Sequence, residues 1–499
     1  MLKFLQIHKR IYKIFRRTDN MKQGRILCWD ESLIENSKNV DVIMHKPEKK
    51  NIALLCDDEW EGVHNGYACV MKLGDKYRMY YRANNSRQKM DGSMTEGTTR
   101  LCIAESNDGI NFYKPVVGKY EYNGTKYNNI VVNHHFDNFS VFYDENPDCP
   151  EDEKFKALCG GDFKNSTWWL YYYASRDGID FEMKYHIPVK GTFDTYNVTF
   201  WDKDTQQYFL YYRSFHQEDG NEFDDMLKIS VVSSIRDIRV ATSKDFKTWT
   251  EHGRIKFGEG QPDLGLYTNQ ITRYYRSPNS FIGFPVRYAD RVADNDSFKH
   301  MPLGDRHEAV RRVASREGTA LTDCIIMTSQ DGFNFNRRDE VFLSPGIEDQ
   351  SNWWYGDCYT AYGLVETDAE RPGAPREISL YSTENYRIKS VNFRRYTVRL
   401  DGFFSWYAKN SGGELLTKPV VVEGETLKIN FASSVVGGVK ITLCDEDGNE
   451  LDGYTSCTYF GDTTDCPVEF QKPLSDLLGK KVRLKIKLQD THLYSFIFE

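Results

Sequence analysis

Short apolar runs alternate with polar turns along most of the chain, with the spacing of β-strands. Long stretches with helical periodicity are nearly absent after residue 20, so the pattern predicts an all-β protein. The clearest apolar runs each precede a polar turn, and they lie at 101–104, 169–174, 239–241, 325–327 and 378–381.

One seven-residue motif follows these runs and recurs with little change. Asp-Gly between two β-like runs is a strong hairpin signal, because glycine accepts a positive φ and aspartate caps the turn. A residue repeated in a repeated turn needs no chemistry, so we interpret Asp108, Asp177, Asp245 and Asp331 as structural. The copies are SNDGINF (106–112), SRDGIDF (175–181), SKDFKTW (243–249) and SQDGFNF (329–335), with a weaker fifth, STENY, at 382–386.

A second recurring piece, a pair of aromatic-rich strands, lies earlier in each unit. The pairs are 66–71 with 77–82, 139–144 with 155–158, 197–202 with 207–213, and 269–274 with 281–287, and 359–365 opens a fifth. Each unit thus supplies about four strands, and radial repetition of four-stranded sheets is the signature of a β-propeller. The pattern predicts a five-bladed β-propeller over residues 21–405, with a large irregular β-sandwich as the alternative.

The two ends of the chain have a different character. Residues 406–499 lack the motif but keep alternating strands, which predicts a C-terminal β-sandwich. Residues 1–20 form a basic tail rich in lysine and arginine. This tail is either a membrane-surface helix or a frayed segment, with Met21 as an alternative start.

Composition excludes several classes of function. The formal net charge is −8, which argues against nucleic-acid binding, and no apolar stretch approaches the roughly 20 residues that span a bilayer. The 11 cysteines are scattered without a C-x-x-C pair, which argues against a disulfide framework or a cysteine zinc site. We expect a cytoplasmic protein with reduced cysteines and no cofactor; its oligomeric state stays open.

Polar residues just before the innermost strand of each blade should face a shared pocket. Each of the five units places one carboxylate there: Glu61, Asp137, Asp194, Asp263 and Asp357. Glycoside cleavage needs two carboxyl groups, one to protonate the leaving oxygen and one to act as base or nucleophile. We predict Glu61 and Asp194 as this pair with Asp357 as a third catalytic carboxylate; capping of turns is the alternative for each.

Further residues near the same strand ends are candidates for substrate binding. Arginines at three strand ends would bind an anionic sugar or phosphate, or pair with blade carboxylates. The histidines lack metal-ligand spacing, so we expect no metal site. The binding candidates are Trp60, His64, Asn65, Arg82, Asp137, Asn197, Arg213, Asp263, Asn269, Arg287 and Trp354.

A propeller with Asp-Gly-x-x-Phe/Trp blade ends and a C-terminal β-sandwich resembles glycoside hydrolases of family 32 (invertase/levanase) and family 43 (arabinanase/xylosidase). The chain looks most like bacterial proteins described as family-32-like. It lacks the invertase signatures W-M-N-D-P-N-G, R-D-P and E-C, so the resemblance does not extend to fructan specificity.

The resemblance and the carboxylates together predict a hydrolase of O-glycosyl bonds that acts on a terminal sugar or short oligosaccharide. Two alternatives that involve carbohydrate remain open, and a protein-interaction scaffold, whose sign would be a large apolar patch on one face of the propeller, is a third. Related propellers include phosphorylases that use inorganic phosphate in place of water, and a non-catalytic propeller would bind carbohydrate through its aromatic rings without cleaving it.

Overall fold

A computed structural model describes residues 24–499 except 87–88, 90–92, 94, 134–136, 162–168, 224–233, 278, 290–319, 346–355 and 388–390. The described residues are almost entirely strands and turns, with 3₁₀ turns at Glu151–Glu153 and Leu474–Leu477. In chain order the strands are β1 (Ile26–Leu27), β2 (Ile34–Lys38), β3 (Asp41–Met44), β4 (Glu48–Leu55), β5 (Gly66–Leu73), β6 (Lys76–Asn84), β7 (Thr99–Ser106), β8 (Ile130–Asn133), β9 (Asp137–Tyr143), β10 (Phe155–Gly161), β11 (Trp169–Ser175), β12 (Glu182–His186), β13 (Val198–Asp202), β14 (Gln207–Gln217), β15 (Ser234–Ser243), β16 (Thr250–Arg254), β17 (Lys256–Phe257), β18 (Thr272–Arg273), β19 (Phe281–Gly283), β20 (Val286–Ala289), β21 (Leu321–Ser329), β22 (Asn334–Leu343), β23 (Val365–Thr367), β24 (Glu377–Glu384), β25 (Asn392–Arg399), β26 (Phe404–Ala408), β27 (Gly413–Thr417), β28 (Val420–Val421), β29 (Leu427–Cys444), β30 (Glu450–Thr455), β31 (Asp462–Val468) and β32 (Lys481–Phe498).

Five separate sheets form a five-bladed β-propeller, as the repeats predicted. From the inner to the outer strand, blades 1 to 3 are β5-β6-β7-β8, β9-β10-β11-β12 and β13-β14-β15-β16. Blade 4 has six strands, with β18 innermost, β20 added beside β21, and β17 parallel to β22 at the outer edge. Among the inner strands, β5 packs beside β9 and β23, and β9 packs beside β13.

The fifth blade closes the ring with a strand from the beginning of the propeller. Its order is β23-β24-β25-β4, so β4 pairs with β25, more than 300 positions later in the chain. The register joins Leu54 to Phe393 and Ile52 to Arg394. This pairing ties the first and last parts of the propeller together through backbone hydrogen bonds.

The repeated Asp-Gly motif joins neighbouring blades. In the second copy Ser175 donates to Asp177, and Asp177 accepts from the backbone amides of residues 179 and 180, so the turn is closed by its own side chains. Gly178 has φ +74° and its carbonyl oxygen accepts a 2.9 Å hydrogen bond from Tyr80 of blade 1. The structural interpretation of the motif aspartates is therefore confirmed, and many of the tyrosines have a role in joining blades.

The same contact recurs around the ring. Tyr211 of blade 3 donates to the Gly332 carbonyl at 2.9 Å, and Tyr381 of blade 5 donates to the Gly109 carbonyl. The third copy has Phe246 where the first, second and fourth have glycine, and it adopts φ +63° while its carbonyl oxygen accepts a 3.0 Å hydrogen bond from Tyr185. The turn conformation is thus kept even without glycine.

The chain divides into two compact units. The propeller unit comprises Met44–Tyr274 and Ser280–Phe403, and the terminal unit comprises Met1–Ile43, described from residue 24, with Tyr275–Asn279 and Phe404–Glu499. Residues 24–43 belong to the terminal unit because β1, β2 and β3 pair with β32, β27 and β26. The predicted boundaries, 21–405 and 406–499, missed this pairing because the partner strands are so distant in sequence.

The terminal unit is built on one curled ten-stranded sheet with its own core. Its long strands β29 and β32 pair along most of their length, with a register shift between Ser433 and Gly438. Trp406, Phe431 and Phe496 are fully buried in this core. The arrangement as a β-sandwich and the structure of the tail 1–20, which lies outside the described residues, stay predictions.

All eleven cysteines lie in the described part and are free thiols, as expected from their scattered spacing. Among the described residues, no helix has the length and apolar character needed to cross a membrane.

Candidate active site

The inner strands begin at one end of the propeller, and this end collects most of the predicted residues. Because neighbouring strands within a blade are antiparallel, the second strands end there and the third strands begin there. The chain enters four of the inner edges through a left-handed residue, at Tyr67, Asn138, Gln270 and Cys358, with φ between +41° and +64°. Such conformations are costly for non-glycine residues and cluster at functional sites. We call this end of the propeller the inner-strand end.

Asp194 is the predicted catalytic carboxylate that reaches solvent there. It precedes β13, its side chain is 36% exposed, and it forms an ion pair with the buried Arg213 of β14. Arg213 is held in turn by a 3.1 Å hydrogen bond from Nε to the Thr192 carbonyl. Asp194 is therefore held by a buried arginine, while part of its own side chain remains exposed to solvent.

Tyrosine rings form a wall beside Asp194. The rings of Tyr196 and Tyr67 stack with centroids 6.1 Å apart, and Tyr67 lies 5.2 Å from Tyr359. Tyr359 stacks on Tyr267 at 5.7 Å, and Tyr267 lies 6.0 Å from Tyr288. These residues come from blades 1, 3, 4 and 5, so the wall lines the place where the blades converge. All five side chains are only 0–8% exposed, so their faces pack mainly against one another and against other protein groups.

Asp137 is the second carboxylate residue that the backbone brings near Asp194. It is the first residue of β9 and pairs with Gly160 across the blade. A Cβ atom at Gly160 would lie 2.0 Å from the carbonyl oxygen of Phe193, the residue before Asp194. Given the usual spacing of paired residues in antiparallel strands, the Cα atoms of Asp137 and Asp194 are at most about 12 Å apart. The side chain of Asp137 lies outside the described part of the structure.

Glu61 has a different environment. Its carboxylate is fully buried, accepts hydrogen bonds from Tyr81 and from the Asp58 amide (2.9 Å), and lies 2.7 Å from the ammonium of Lys114. The ring of Tyr81 packs on Phe393, so Glu61 is turned toward the packing between blades 1 and 5. These contacts favour a structural role, and the catalytic role of Glu61 stays a prediction.

The Glu61 carboxylate belongs to an acidic cluster whose centre is filled by Lys114. Oxygen atoms of Asp57, Asp58 and Glu61 lie within 4.8 Å of one another, and the ammonium is 2.7–2.9 Å from all three. Burial raises the pKa of Glu61, although Lys114, Tyr81 and the Asp58 amide oppose this shift. Burial acts to lower the pKa of Lys114, but the charge of Glu61 and the three carboxylate contacts outweigh it and raise the pKa. We take the cluster as an ion-pair network with Glu61 charged, because every oxygen of its carboxylate accepts a hydrogen bond.

Asp357 is also fully buried, and its side chain forms a hydrogen bond with the backbone. Its Oδ1 accepts a 2.9 Å hydrogen bond from the amide of Tyr386, and its carbonyl accepts one from Thr322. It lies between Gly356, at φ +105°, and Cys358, at φ +64°. The carboxylate therefore stabilises a tight turn before β23, and its catalytic role stays a prediction.

Asp263 is bound to a histidine that sequence reasoning missed. Its Oδ2 lies 2.6 Å from Nε2 of His216, and Nδ1 of the same ring lies 3.1 Å from Asp237. Burial acts to lower the pKa of His216, but the two carboxylate hydrogen bonds outweigh it and raise the pKa. Half of the Asp263 side chain is exposed, so this Asp-His-Asp chain reaches the surface. The spacing between 216, 237 and 263 has no recognisable motif in the sequence.

The predicted binding residues of blade 1 are mostly engaged by protein groups. Trp60 donates from Nε1 to Asn129 at 2.8 Å, and its ring lies 6.0 Å from that of Tyr122. His64 contacts Ser86 at 3.0 Å and stacks on Tyr386. Asn65 is fully buried and donates weakly to the Gly62 carbonyl at 3.3 Å, leaving its own oxygen without a partner in the described structure.

The remaining binding candidates divide between the site and the scaffold. Arg82 lies over the ring of Tyr67 at 5.6 Å and donates to Asn138 at 3.5 Å, which places it at the inner-strand end. Arg287 forms a two-pronged ion pair with Asp323 at 2.7 and 2.9 Å, the structural alternative for this residue.

Asn197 and Asn269 brace the entries to β13 and β18. Asn197 donates to the carbonyls of Phe193 and Thr195 and accepts from the Arg213 amide. Asn269 accepts from the Ile271 amide at 3.2 Å. Trp354 lies outside the described residues.

No protein-family model and no curated protein sequence matches this chain. Solved structures do resemble it. A structure described as a glycoside hydrolase is 13% identical, with a TM-score of 0.44 over 71% of this chain and 92% of that one. A family 32 β-fructofuranosidase from Bombyx mori is 9% identical, with a TM-score of 0.41 over 91% and 93%. A family 43 arabinoxylan arabinofuranohydrolase from Bacillus subtilis is 11% identical, with a TM-score of 0.31 over 88% and 80%.

The five-bladed propeller that the family resemblance implies is confirmed by the sheets of this chain, whereas similarities with TM-scores this low do not bear on its function. At identities this low, function has to be inferred from the residues of this chain.

Proposed function

We propose that the protein is a glycoside hydrolase that binds a terminal sugar or short oligosaccharide at the inner-strand end of its propeller. The observation that carries this proposal is Asp194, a partly exposed carboxylate beside a wall of tyrosine rings. Glycosidic bond cleavage requires positioned carboxyl groups that move protons, and aromatic rings at such a site favour the binding of sugars.

Asp137 is the proposed partner of Asp194. The two catalytic carboxyl groups of a glycosidase lie roughly 5–9.5 Å apart, depending on whether configuration is retained or inverted. A backbone separation of at most about 12 Å is compatible with either geometry, because the two residues lie at neighbouring inner edges. One carboxyl group would protonate the leaving oxygen and the other would act on the anomeric centre or on a water.

A non-catalytic carbohydrate-binding propeller is the second candidate. It is favoured by the structural contacts of Glu61 and Asp357, two of the three predicted catalytic carboxylates. Such a protein would use the tyrosine wall but release every glycan unchanged.

A panel of aryl glycosides and oligosaccharides separates these candidates. The full chain is incubated with each compound, and products are identified by mass spectrometry while binding is measured by calorimetry. Cleavage that is lost in Asp137→Asn supports the proposed pair, whereas binding without any product favours the non-catalytic propeller. A parallel series with inorganic phosphate detects sugar 1-phosphates, the product expected from a phosphorylase.

A further inference from the structure

Arg236 is a buried cation without an acidic partner among the described residues. It lies near the start of β15, directly across from Phe215 of β14, and is 5% exposed. Its Nε is buried without a hydrogen bond, and its side chain forms no ion pair with any described residue. Burial of an unpaired charge is strongly unfavourable, so such groups normally have a counter-ion.

The guanidinium is held in place by aromatic rings. Its Cζ lies 4.0 Å from the ring centroid of Tyr288, 5.3 Å from that of Tyr267 and 5.5 Å from that of Phe215. Contacts of this kind fix the plane of the guanidinium but leave its N–H groups, which lie in that plane, available as donors.

Arg213 shares two of these rings. Its Cζ lies 4.8 Å from the centroid of Phe215 and 5.5 Å from that of Tyr267. Arg213 pairs with the carboxylate of Asp194, so this counter-charge is already engaged by the other guanidinium group of the aromatic box.

The other acidic groups nearby are already occupied. Asp237, the next residue along β15, pairs with Arg239 and His216, and Asp263 pairs with His216. Asp323 is held by both prongs of Arg287. Among the described residues, the positive charge without a counter-charge therefore belongs to Arg236, at the same end of the propeller as Asp194.

We propose that Arg236, supported by Arg213, binds an anionic oxygen group of the ligand. The fork of a guanidinium matches the two oxygens of a carboxylate or phosphate group. The chemical class of ligand is thus a sugar that carries a carboxylate, or a neutral sugar bound together with inorganic phosphate. This inference rests on the proposed function only for the choice of a sugar, because anion binding can be measured without any turnover.

The test compares glucuronate with glucose, and inorganic phosphate alone, as probes of the full chain by calorimetry. Glucuronate or phosphate should bind more tightly than glucose. Arg236→Gln should weaken anion binding by roughly 10- to 100-fold, the range expected when a hydrogen bond to a charged group is lost. Arg176→Gln, on the exposed turn of the second motif, removes the same charge elsewhere and should leave binding unchanged.

The two probes identify the source of the anion. Glucuronate binding that depends on Arg236 indicates an acidic sugar, and phosphate binding that depends on Arg236 indicates a free phosphate; either supports the site.

Equal binding of glucuronate and glucose with no effect of phosphate overturns the proposed anion site, as does unchanged anion binding in Arg236→Gln. If Arg236→Gln fails to fold, Arg236→Lys keeps the charge but loses the fork, and unchanged anion binding in that variant overturns recognition by the guanidinium. Failure of the proposed function gives a different pattern, in which anion binding depends on Arg236 but no glycan is cleaved.

Discussion

Replacement of Lys114 by methionine tests whether Glu61 belongs to the scaffold. The lysine ammonium lies 2.7 Å from the fully buried Glu61 and 2.9 Å from Asp57 and Asp58, whose side chains are 61% and 35% exposed. The two aspartates can be solvated once the lysine is gone, so most of the cost comes from Glu61. Loss of one partner of a buried ion pair costs about 3–5 kcal/mol, because the remaining charge is left without compensation.

The cost should also depend on pH. Without Lys114 the folded-state pKa of Glu61 rises further above its unfolded value, since burial already raises it. A group with a raised folded pKa contributes stability that is present below the unfolded pKa and is lost as pH rises through the folded pKa. Lys114→Met should therefore be less stable at pH 8 than at pH 5.

Urea unfolding followed by tryptophan fluorescence at the two pH values measures this effect. Lys184→Met is the matched control, because Lys184 pairs at 2.8 Å with Glu182, which is 77% exposed, and an exposed pair contributes at most about 1 kcal/mol. Adding Glu61→Gln to Lys114→Met should recover much of the loss. A cost in Lys114→Met no larger than in Lys184→Met would refute the ion-pair account of Glu61.

Two further predictions concern the blade contacts and the histidine. Gly178→Ala should lower stability more than Gly124→Ala. Both glycines have positive φ, which costs an alanine about 1–2 kcal/mol. Only at Gly178 would the new Cβ also lie 2.1 Å from the hydroxyl of Tyr80. Equal losses in thermal unfolding would contradict the role of this contact. The pKa of His216 is raised above 6.5, so its charged contacts should stabilise the fold fully below that pH and be lost as pH rises through the folded pKa. Asp263→Asn should lower the pKa of His216 in an NMR titration. An unchanged pKa would show that Asp263 does not stabilise the protonated imidazole.

The propeller was predictable because its signals are local. The Asp-Gly turn needs a glycine or a tolerant residue at positive φ and a serine and aspartate to close it, and each of the first four copies carries these within seven residues. The placement of β1–β3 was not predictable, because it depends on pairing with strands near the other end of the chain. Sequence distance hides such pairs even when each strand is recognisable.

The sequence could predict which residues precede the inner strands, but not the direction of their side chains. Residues before the inner strands do gather at one end, yet a loop carboxylate such as Glu61 can turn into the packing between blades, and only tertiary contacts decide this. Arg236 was missed because the sequence prediction took in only the starts of first strands and the ends of second strands. Third strands also begin at this end, so a charged residue near the start of β15 was a signal that the blade pattern already contained.

The turnover of Asp194→Asn on a glycan that the unmodified protein cleaves is the most direct test of the central claim. The expected result is a fall in kcat of roughly 10²- to 10⁴-fold, with folding intact by circular dichroism, because a positioned acid or base contributes about that much. Asp180→Asn, an exposed residue on the turn of the second motif, should keep normal turnover. Normal turnover by Asp194→Asn would contradict a glycosidase centred on this residue.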